Sequence, residues 1–523
     1  MQSPKEKWIL ILILLIAFIF RFQHIQSIPP GLYPDEAMNG NNALQVLETG
    51  NYKIFYPENN GREGLFINIQ AQFLRVFGPE PWVLRSVSAT FGVFTVLGLY
   101  LLTRILFNWQ IASIASFYLA VSFWHIVFSR IGFRAIMVPF LIVWGFYFLW
   151  RGLRDFKFKD FALSGIIFGL GFHTYIAFRF VPFIIALVLL GHWYLIKKDY
   201  GHHKYIHLRN EFIRRFALLF LAAFLTALPL LYYYWLNPQD FIGRGNQVSI
   251  FVAPSPLKEF VKSLGLVLAS FNFTGDFNWR HNFSGEPLLF WAVGVFFVIG
   301  LIKSIAKCFK KWKEHSHPST LHVLLISWFF IMLLPSALTR EGIPHALRSI
   351  GILPVAMIFA AEGTWWLFET LIHWYREKDI HPMETAYKKE HEGQLIVGIA
   401  LILLLIAVGL SEYDKYFNKW AKRPEVVQAF SADFVELGKT INQLPKETPK
   451  YVLVNASGVL VDVLNPFDPT GRTRGIPMPA QTIMFITQTY SEEKQKEKNV
   501  FYILPGEEKY IIQPNAVILP LVK

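Results

Sequence analysis

The sequence predicts a mainly α, polytopic helical membrane protein of about eleven spans, followed by a small C-terminal soluble α/β domain. Three observations carry this. Hydrophobic residues make up 53% of the chain and aromatic residues 17%, too apolar a mixture for an ordinary soluble enzyme. Apolar runs long enough to cross the roughly 30 Å hydrocarbon core of a bilayer recur from Trp8 to Leu410. Beyond about residue 411 the pattern changes to a helical segment near 423–443 and then the short runs "YVLVNA", "TIMFIT", "NVFYIL" and "AVILPLV", which read as strands between turn residues. The single cysteine, Cys308, excludes an internal disulfide framework and a cysteine-based metal cluster.

The apolar runs fall at about 8–26, 82–106, 110–128, 134–150, 161–175, 178–196, 216–236, 286–306, 321–338, 345–374 and 394–410. The fifth is short and the tenth overlong, which points to tilted, broken or partly interfacial segments. Lys5 and Lys7 precede the first run, but the following "RFQHIQSIPPG" has no small-x-small cleavage pattern, so this run reads as a retained span. With the N-terminus cytoplasmic, loops 151–160, 197–215, 303–320 and 375–393 lie on the inner side and hold 19 basic residues. That asymmetry is the one the positive-inside rule describes. It accounts for the net charge of +13, and nucleic acid is not an expected partner.

The same topology leaves loops 27–81 and 237–285 and the tail on the extracytoplasmic face of a cell membrane. The chain then divides into a membrane domain, 1–410, and an extracytoplasmic α/β domain, 411–523. In the first loop, "PDEAMNGNNALQVLETG" has proline and acids at a helical start and glycine at its end. "REGLFINIQAQFLRVFG" repeats apolar residues at helical spacing. The outer segments collect the unusual chemistry. Asp35, Glu36, Glu63, Asp276 and Glu341 are mixed there with Arg62, Arg130, Arg134, Arg179, Arg280, Arg348, His281 and His345. Guanidinium forks can clasp an anionic phosphate while a carboxylate stays open for proton chemistry.

Plainer readings stand beside this one. An acidic pair in a first helical turn complements the helix dipole, worth about 0.3–1 kcal/mol. Arginines at span ends snorkel toward head groups, and His173 and His281 read as hydrogen-bonded groups rather than metal ligands. Neither dipole nor snorkelling explains why mixed-charge, glycine-containing loops gather on one face. The chain has no G-x-x-x-x-G-K-[ST], no G-x-G-x-x-G after a strand, no H-E-x-x-H and no G-x-S-x-G, so nucleotide binding and serine-nucleophile chemistry lack support. For a site facing away from the cytoplasm, a lipid-linked phosphosugar is the donor that fits.

"PDEA" after the first span resembles the acidic motif in the first outer loop of the GT-C glycosyltransferase superfamily, which includes protein O-mannosyltransferases and lipid A aminoarabinose transferases. "NGREGLFI", "SRIGFRA", "GDFNWRHNFSGEPLL" and "PHALRSIGILP" are similar to segments of bacterial family-39-like membrane glycosyltransferases, and the resemblance covers roughly residues 8–410. It implies transfer of a sugar from a polyprenyl-phosphate donor to a glycan, lipid or protein acceptor, with inversion. Asp35 would be the general base on the acceptor hydroxyl, and Glu36 would orient it or help form the acceptor site. Arg62, Glu63 and Asp276 would support the site. Arg280, Arg348 and His345, with His281, would hold the donor phosphate, and Arg130, Arg134 and Arg179 are second choices. The superfamily also admits a divalent metal cation, for which the sequence shows no decisive ligand set. Two rival readings remain: a transporter or lipid-linked sugar flippase, and an oligosaccharide ligase of similar architecture. The charged residues collect at the outer ends rather than the bilayer midplane, which speaks against transport.

Overall fold

The structure, a computed structural model, describes residues 3–199, 202–314, 319–377, 383–464, 466–467, 473–511 and 513–522. Three of the four basic loops lie partly outside the described residues, and Lys378 is among those left out.

Helix α1 (Pro4–Phe22) leads into the first long loop, which holds α2 (Pro34–Thr49), the short pair β1 (Phe55–Tyr56) and β2 (Arg62–Glu63), and α3 (Leu65–Phe77). The bundle continues through α4 (Pro81–Leu106), α5 (Trp109–Val121), α6 (Phe123–Ser129), α7 (Met137–Asp155), α8 (Phe158–Gly171), α9 (Val181–Asp199) and α10 (His202–Leu236). The second long loop carries α11 (Pro238–Val248) and α12 (Pro256–Ala269). Then follow α13 (Trp291–Glu314), α14 (Ser319–Ala337), α15 (Leu353–Glu377) and α16 (Met383–Tyr413).

Among the described residues eight helices, α4, α7, α9, α10 and α13 to α16, are long and apolar enough to cross a membrane. The bent pair α5–α6 makes a ninth, its halves at 59°. The remaining two apolar runs form α1, which carries charges near both ends, and the 14-residue α8. The bend between α5 and α6 has a local cause. It frees the Phe123 N–H, and the buried Glu412 carboxylate of α16 accepts it, because no water is at hand in a bilayer to do so. Helix α8 is drawn close to α10 by Gly165 and Gly169, spaced by four. A Cβ at these positions would lie 2.3 Å from the Leu219 carbonyl and 2.5 Å from that of Ala223, the close small-residue contact by which membrane helices associate.

The C-terminal region consists of α17 (Pro424–Ala429), α18 (Ala432–Gln443), β3 (Lys450–Asn455), the antiparallel hairpin β4 (Leu460–Leu464) and β5 (Thr473–Pro477), α19 (Ala480–Thr487), α20 (Glu492–Lys498), β6 (Val500–Ile503) and β7 (Val517–Val522). Strand β3 is central and pairs in parallel with both neighbours, in the order β6–β3–β7.

Three expectations are corrected and one is sharpened. "TIMFIT" is helix α19, not a strand. A six-residue apolar run has no period that separates the two, and here Ile483, Met484 and Phe485 are all buried against helices α2 and α18. Arg62 and Glu63 pair with Tyr56 and Phe55 instead of opening a helix, and Gly64 N–H donates to the Ile54 carbonyl at 2.7 Å. The overlong tenth apolar run is broken, one of the outcomes its length pointed to: residues before Leu353 form turns and one 3-10 segment, Ile350–Ile352. The helix near 423–443 is two pieces, parted at Ser431 with φ of 52°.

The C-terminal region is seated on the first loop. Leu32, Ala37, Ala43 and Val46 share one buried cluster with Val435 and Phe485. Asn41 Nδ2 donates to Gln481 O at 3.0 Å and Oε1 at 2.8 Å, and Thr482 Oγ1 donates to Leu32 O at 3.0 Å. Phe485 fills the space left by Gly40, where a Cβ would fall 2.5 Å from its ring.

Candidate active site

The site starts at the N-terminus of α2. Pro34 occupies its first turn, and the next two residues are Asp35 and Glu36. Neighbouring helical residues point about 100° apart, so the pair divides. Glu36 faces inward with no exposed surface. Its carboxylate accepts from Arg85 Nε at 3.1 Å and Nη2 at 3.2 Å, from Gly132 N–H at 2.8 Å and from Tyr33 N–H at 3.4 Å. Arg85, itself 1% exposed, also donates to the carbonyls of Pro29 at 2.6 Å and Gly31 at 2.8 Å. This buried bidentate pair ties the start of α2 to α4 and to the 130–133 turn. Asp35 is half-buried and accepts from Asn59 Nδ2 at 2.6 Å and from the Tyr33 hydroxyl.

Two groups of side chains adjoin Asp35. In the first, Arg62 is buried and donates Nη1 to Asn39 Oδ1 and Nη2 to Asn42 Oδ1, each at 2.7 Å. Burial, and then the nearby Arg134 charge, pull its pKa down to about 10, while Asp35 and Glu58 act the other way. Arg134 donates to Glu63 Oε2 at 2.7 Å and to the carbonyls of Thr174 and Gly61.

The second group runs through Tyr33. The Arg280 guanidinium lies over its ring at 4.0 Å from the centroid, a cation–π contact. Burial, and next the Asp35 charge, push the Tyr33 hydroxyl well above the usual phenol range, so it stays a hydrogen-bond donor. Beside Arg280, His281 Nδ1 lies 3.1 Å from Asp276 Oδ2, and the His345 ring packs against that of His281 at 4.8 Å. Asp276 is held by backbone N–H groups, from Asn278 on Oδ1 and from Ala346 on Oδ2, both at 2.8 Å. From the His345 segment Arg348 donates Nη1 to Thr339 Oγ1 and to the Glu341 carbonyl, each at 2.8 Å. Arg348 also lines a cavity of about 270 Å³ whose other walls include Ile176, Phe180, Phe251, Pro335 and Leu338.

One ligand atom each from Asp276, His281 and His345 lies within 4.8 Å of the others. A zinc-like ion with bonds near 2.0–2.1 Å holds tetrahedral ligand atoms about 3.3 Å apart. The separations from Asp276 Oδ2 are 3.1 Å to His281 Nδ1 and 4.0 Å to His345 Nδ1, so a modest inward turn of His345 would let the three side chains hold a divalent cation.

The structure thus brings together Asp35, Arg280, Asp276, His281, His345 and Arg348, with Arg62, Glu63 and Arg134 adjoining. Two arginines stand elsewhere. Arg130 is fully buried, donates to the carbonyls of Phe20, Gln23 and Ile28, and stacks on Tyr416 and Phe417. Arg179 donates to the Phe241 carbonyl and the Tyr234 hydroxyl. Sequence reasoning passed over Tyr33, Asn59 and Arg85. Arg85 carried a usable signal: it and Arg104 are the two charges of the apolar run 82–106. Tyr33 and Asn59 carried none.

The fold and site define a multi-pass membrane protein with the GT-C fold, and the chain resembles membrane glycosyltransferases of that superfamily. Residues 65–234 match the family profile of dolichyl-phosphate-mannose-protein mannosyltransferases. No curated protein matches the sequence. Among solved structures, ArnT from Cupriavidus metallidurans bound to undecaprenyl phosphate aligns at 13% identity with a TM-score of 0.54, over 99% of this chain and 90% of that one. The archaeal oligosaccharyltransferase AglB from Archaeoglobus fulgidus, in complex with an inhibitory peptide and a dolichol-phosphate, aligns at 15% identity with a TM-score of 0.51 over 86% of this chain. The present chain spans 62% of the length of that archaeal protein.

Proposed function

We propose that the protein is a membrane glycosyltransferase that moves a sugar from a polyprenyl-phosphate donor to an extracytoplasmic acceptor. One observation carries the reading: two short segments, 276–281 and 345–348, place cations between an apolar, cation-tipped cavity and the half-buried Asp35 carboxylate. Arg348 and His345 share one turn, the His345 ring packs against that of His281, and Arg280, next in the chain to His281, covers Tyr33 beside Asp35. The cavity suits the first isoprene units of a carrier lipid, with Arg348 at its polar end.

In this reading Asp35 takes the proton of an acceptor hydroxyl as its oxygen bonds to the anomeric carbon. The bond from that carbon to the phosphate oxygen breaks, and the electron pair leaves with the polyprenyl phosphate. Attack opposite the leaving group inverts the centre. Arg280 and Arg348 meet the developing phosphate charge, and the protonated Tyr33 hydroxyl donates between base and phosphate. A divalent cation held by Asp276, His281 and His345 would supply further charge neutralisation at that phosphate. Glu36 acts through its buried bonds, by fixing the turn that presents Asp35. The basic loops between alternate helices support a cytoplasmic N-terminus, with the site and the C-terminal region on the other side. The C-terminal region, 411–523, would act as an α/β unit that closes over the site.

Asp35→Asn tests the assignment. Transfer should fall by about 10²–10⁴-fold, the usual worth of a positioned general base, while insertion and retention of lipid donor persist. Undiminished transfer by this variant would overturn the role. Mass spectrometry of envelope glycolipids and glycoproteins, with and without the gene, measures the transferred unit and so separates a single sugar from a preassembled glycan.

A further inference from the structure

A cleft of about 420 Å³ opens between the last turns of α2, the segment leading into β1 and the residues Ser491–Glu493 of the C-terminal region. Its α2 wall includes Asn42 and Thr49, seven and fourteen residues after Asp35. Seven residues are close to two helical turns, so all three project from one face of α2, and Asn42 stands about 10 Å along the axis from Asp35. The floor is continuous with the site. Asn42 is held by Arg62, the Arg62 guanidinium lies 5.6 Å from the Tyr56 ring centroid, and Asp35 acts electrostatically on Arg62.

Two features give the cleft a ligand chemistry. Tyr56 lines it, is 1% exposed, and its hydroxyl has no hydrogen-bond partner among the described residues. A buried hydroxyl left unpaired costs about 1–3 kcal/mol, and a ligand group that bonds to it recovers that cost. The rest of the wall sets polar groups (amides, hydroxyls, the three carboxylates of Glu48, Glu492 and Glu493 and the single cation of Lys53) among side-chain carbon, including Val46. Carboxylates outnumber cations, which disfavours phosphate-rich ligands, and hydroxyl and amide partners interleaved with carbon suit the alternating O–H and C–H faces of sugars. A chain of sugar hydroxyls, neutral or amine-bearing, matches what remains.

We propose that this cleft is a glycan subsite of the acceptor, gripping sugars beyond the one whose hydroxyl reaches Asp35. The proposal rests on the reading of Asp35 as acceptor base, and the experiment separates the two. Full-length protein is expressed in the Asp35→Asn background with Thr49→p-benzoylphenylalanine, or with Lys439→p-benzoylphenylalanine as an exposed position away from the cleft. After irradiation in the producing cells, adducts are read by peptide mass spectrometry. Sugar-mass adducts at position 49 and not at 439 support the cleft. A peptide adduct, a lipid adduct or no adduct at 49 overturns it. Transfer that survives Asp35→Asn refutes the base instead and leaves the adduct reading intact. In otherwise unchanged protein, Glu493→Lys at the exposed rim should raise the KM for extracted envelope acceptor about tenfold, equivalent to about 1.4 kcal/mol, with kcat within about twofold. An unaltered KM also overturns the proposal.

Discussion

Changing Glu36 to Gln separates the two neighbouring acids at the start of α2. The carboxylate accepts four N–H groups, two of them from Arg85, in a place with no solvent contact. Glutamine offers one acceptor oxygen and turns its amide protons toward either Arg85 or the Gly132 N–H. The Arg85 guanidinium then lies buried without a counter-charge. Removing one member of a buried pair costs about 3–5 kcal/mol, and the bonds from Arg85 to Pro29 and Gly31 place the loss near 3 kcal/mol. That is a large part of an unfolding free energy of roughly 5–15 kcal/mol. Asp35→Asn, which keeps an acceptor oxygen for the half-buried contacts to Asn59 and Tyr33, should cost about 1 kcal/mol or less. The assay is denaturant unfolding of detergent-solubilised protein followed by tryptophan fluorescence. A double variant, Glu36→Gln with Arg85→Met, should recover more than half of the loss because the orphan charge is gone. An unchanged midpoint for Glu36→Gln, or a double variant as unstable as the sum of the singles, would refute the assignment of Glu36 as an anchor.

Four further outcomes follow from the geometry. Phe485→Ala empties the space against Gly40 and should destabilise the protein by about 3–5 kcal/mol, with limited proteolysis releasing the C-terminal region first. Arg130→Lys cannot span the Phe20, Gln23 and Ile28 carbonyls with one ammonium group, so the same unfolding assay should show a loss of about 2 kcal/mol. Arg348→Ala should raise the KM for lipid donor about tenfold, the worth of one charge-assisted contact, as measured by donor titration. Asp276→Asn should lower retained divalent metal, measured by elemental analysis of purified protein, because it weakens the one anionic ligand of the trio.

The membrane architecture was legible because it follows from period and length: each apolar run contributes a helix, whole or bent, and the short fifth run became the short α8. The outer-face chemistry was legible as a composition but not as a geometry. Asp276, His281 and His345 come from two segments about 65 residues apart, and only tertiary packing shows that their ligand atoms converge. Arg130 and Arg280 look alike in sequence, yet one is fully buried against carbonyls and the other covers Tyr33. The strand reading of "TIMFIT" failed because local pattern cannot register that α2 lies beneath it.

The hydrogen bonds from Asn41 to Gln481 join residues separated by 440 positions in the chain. A ribosome making about 5–20 residues per second needs roughly 20–90 s to travel that interval. The helix bearing Asp35 is therefore made long before the surface that completes its core exists. Until then only α3 and α4 cover the apolar side of α2, and a chain cut short before Phe485 leaves the rest of it open. Activity in this protein is thus a property of the finished polypeptide, and early-terminated products should be both inert and prone to capture by the membrane's quality-control proteases.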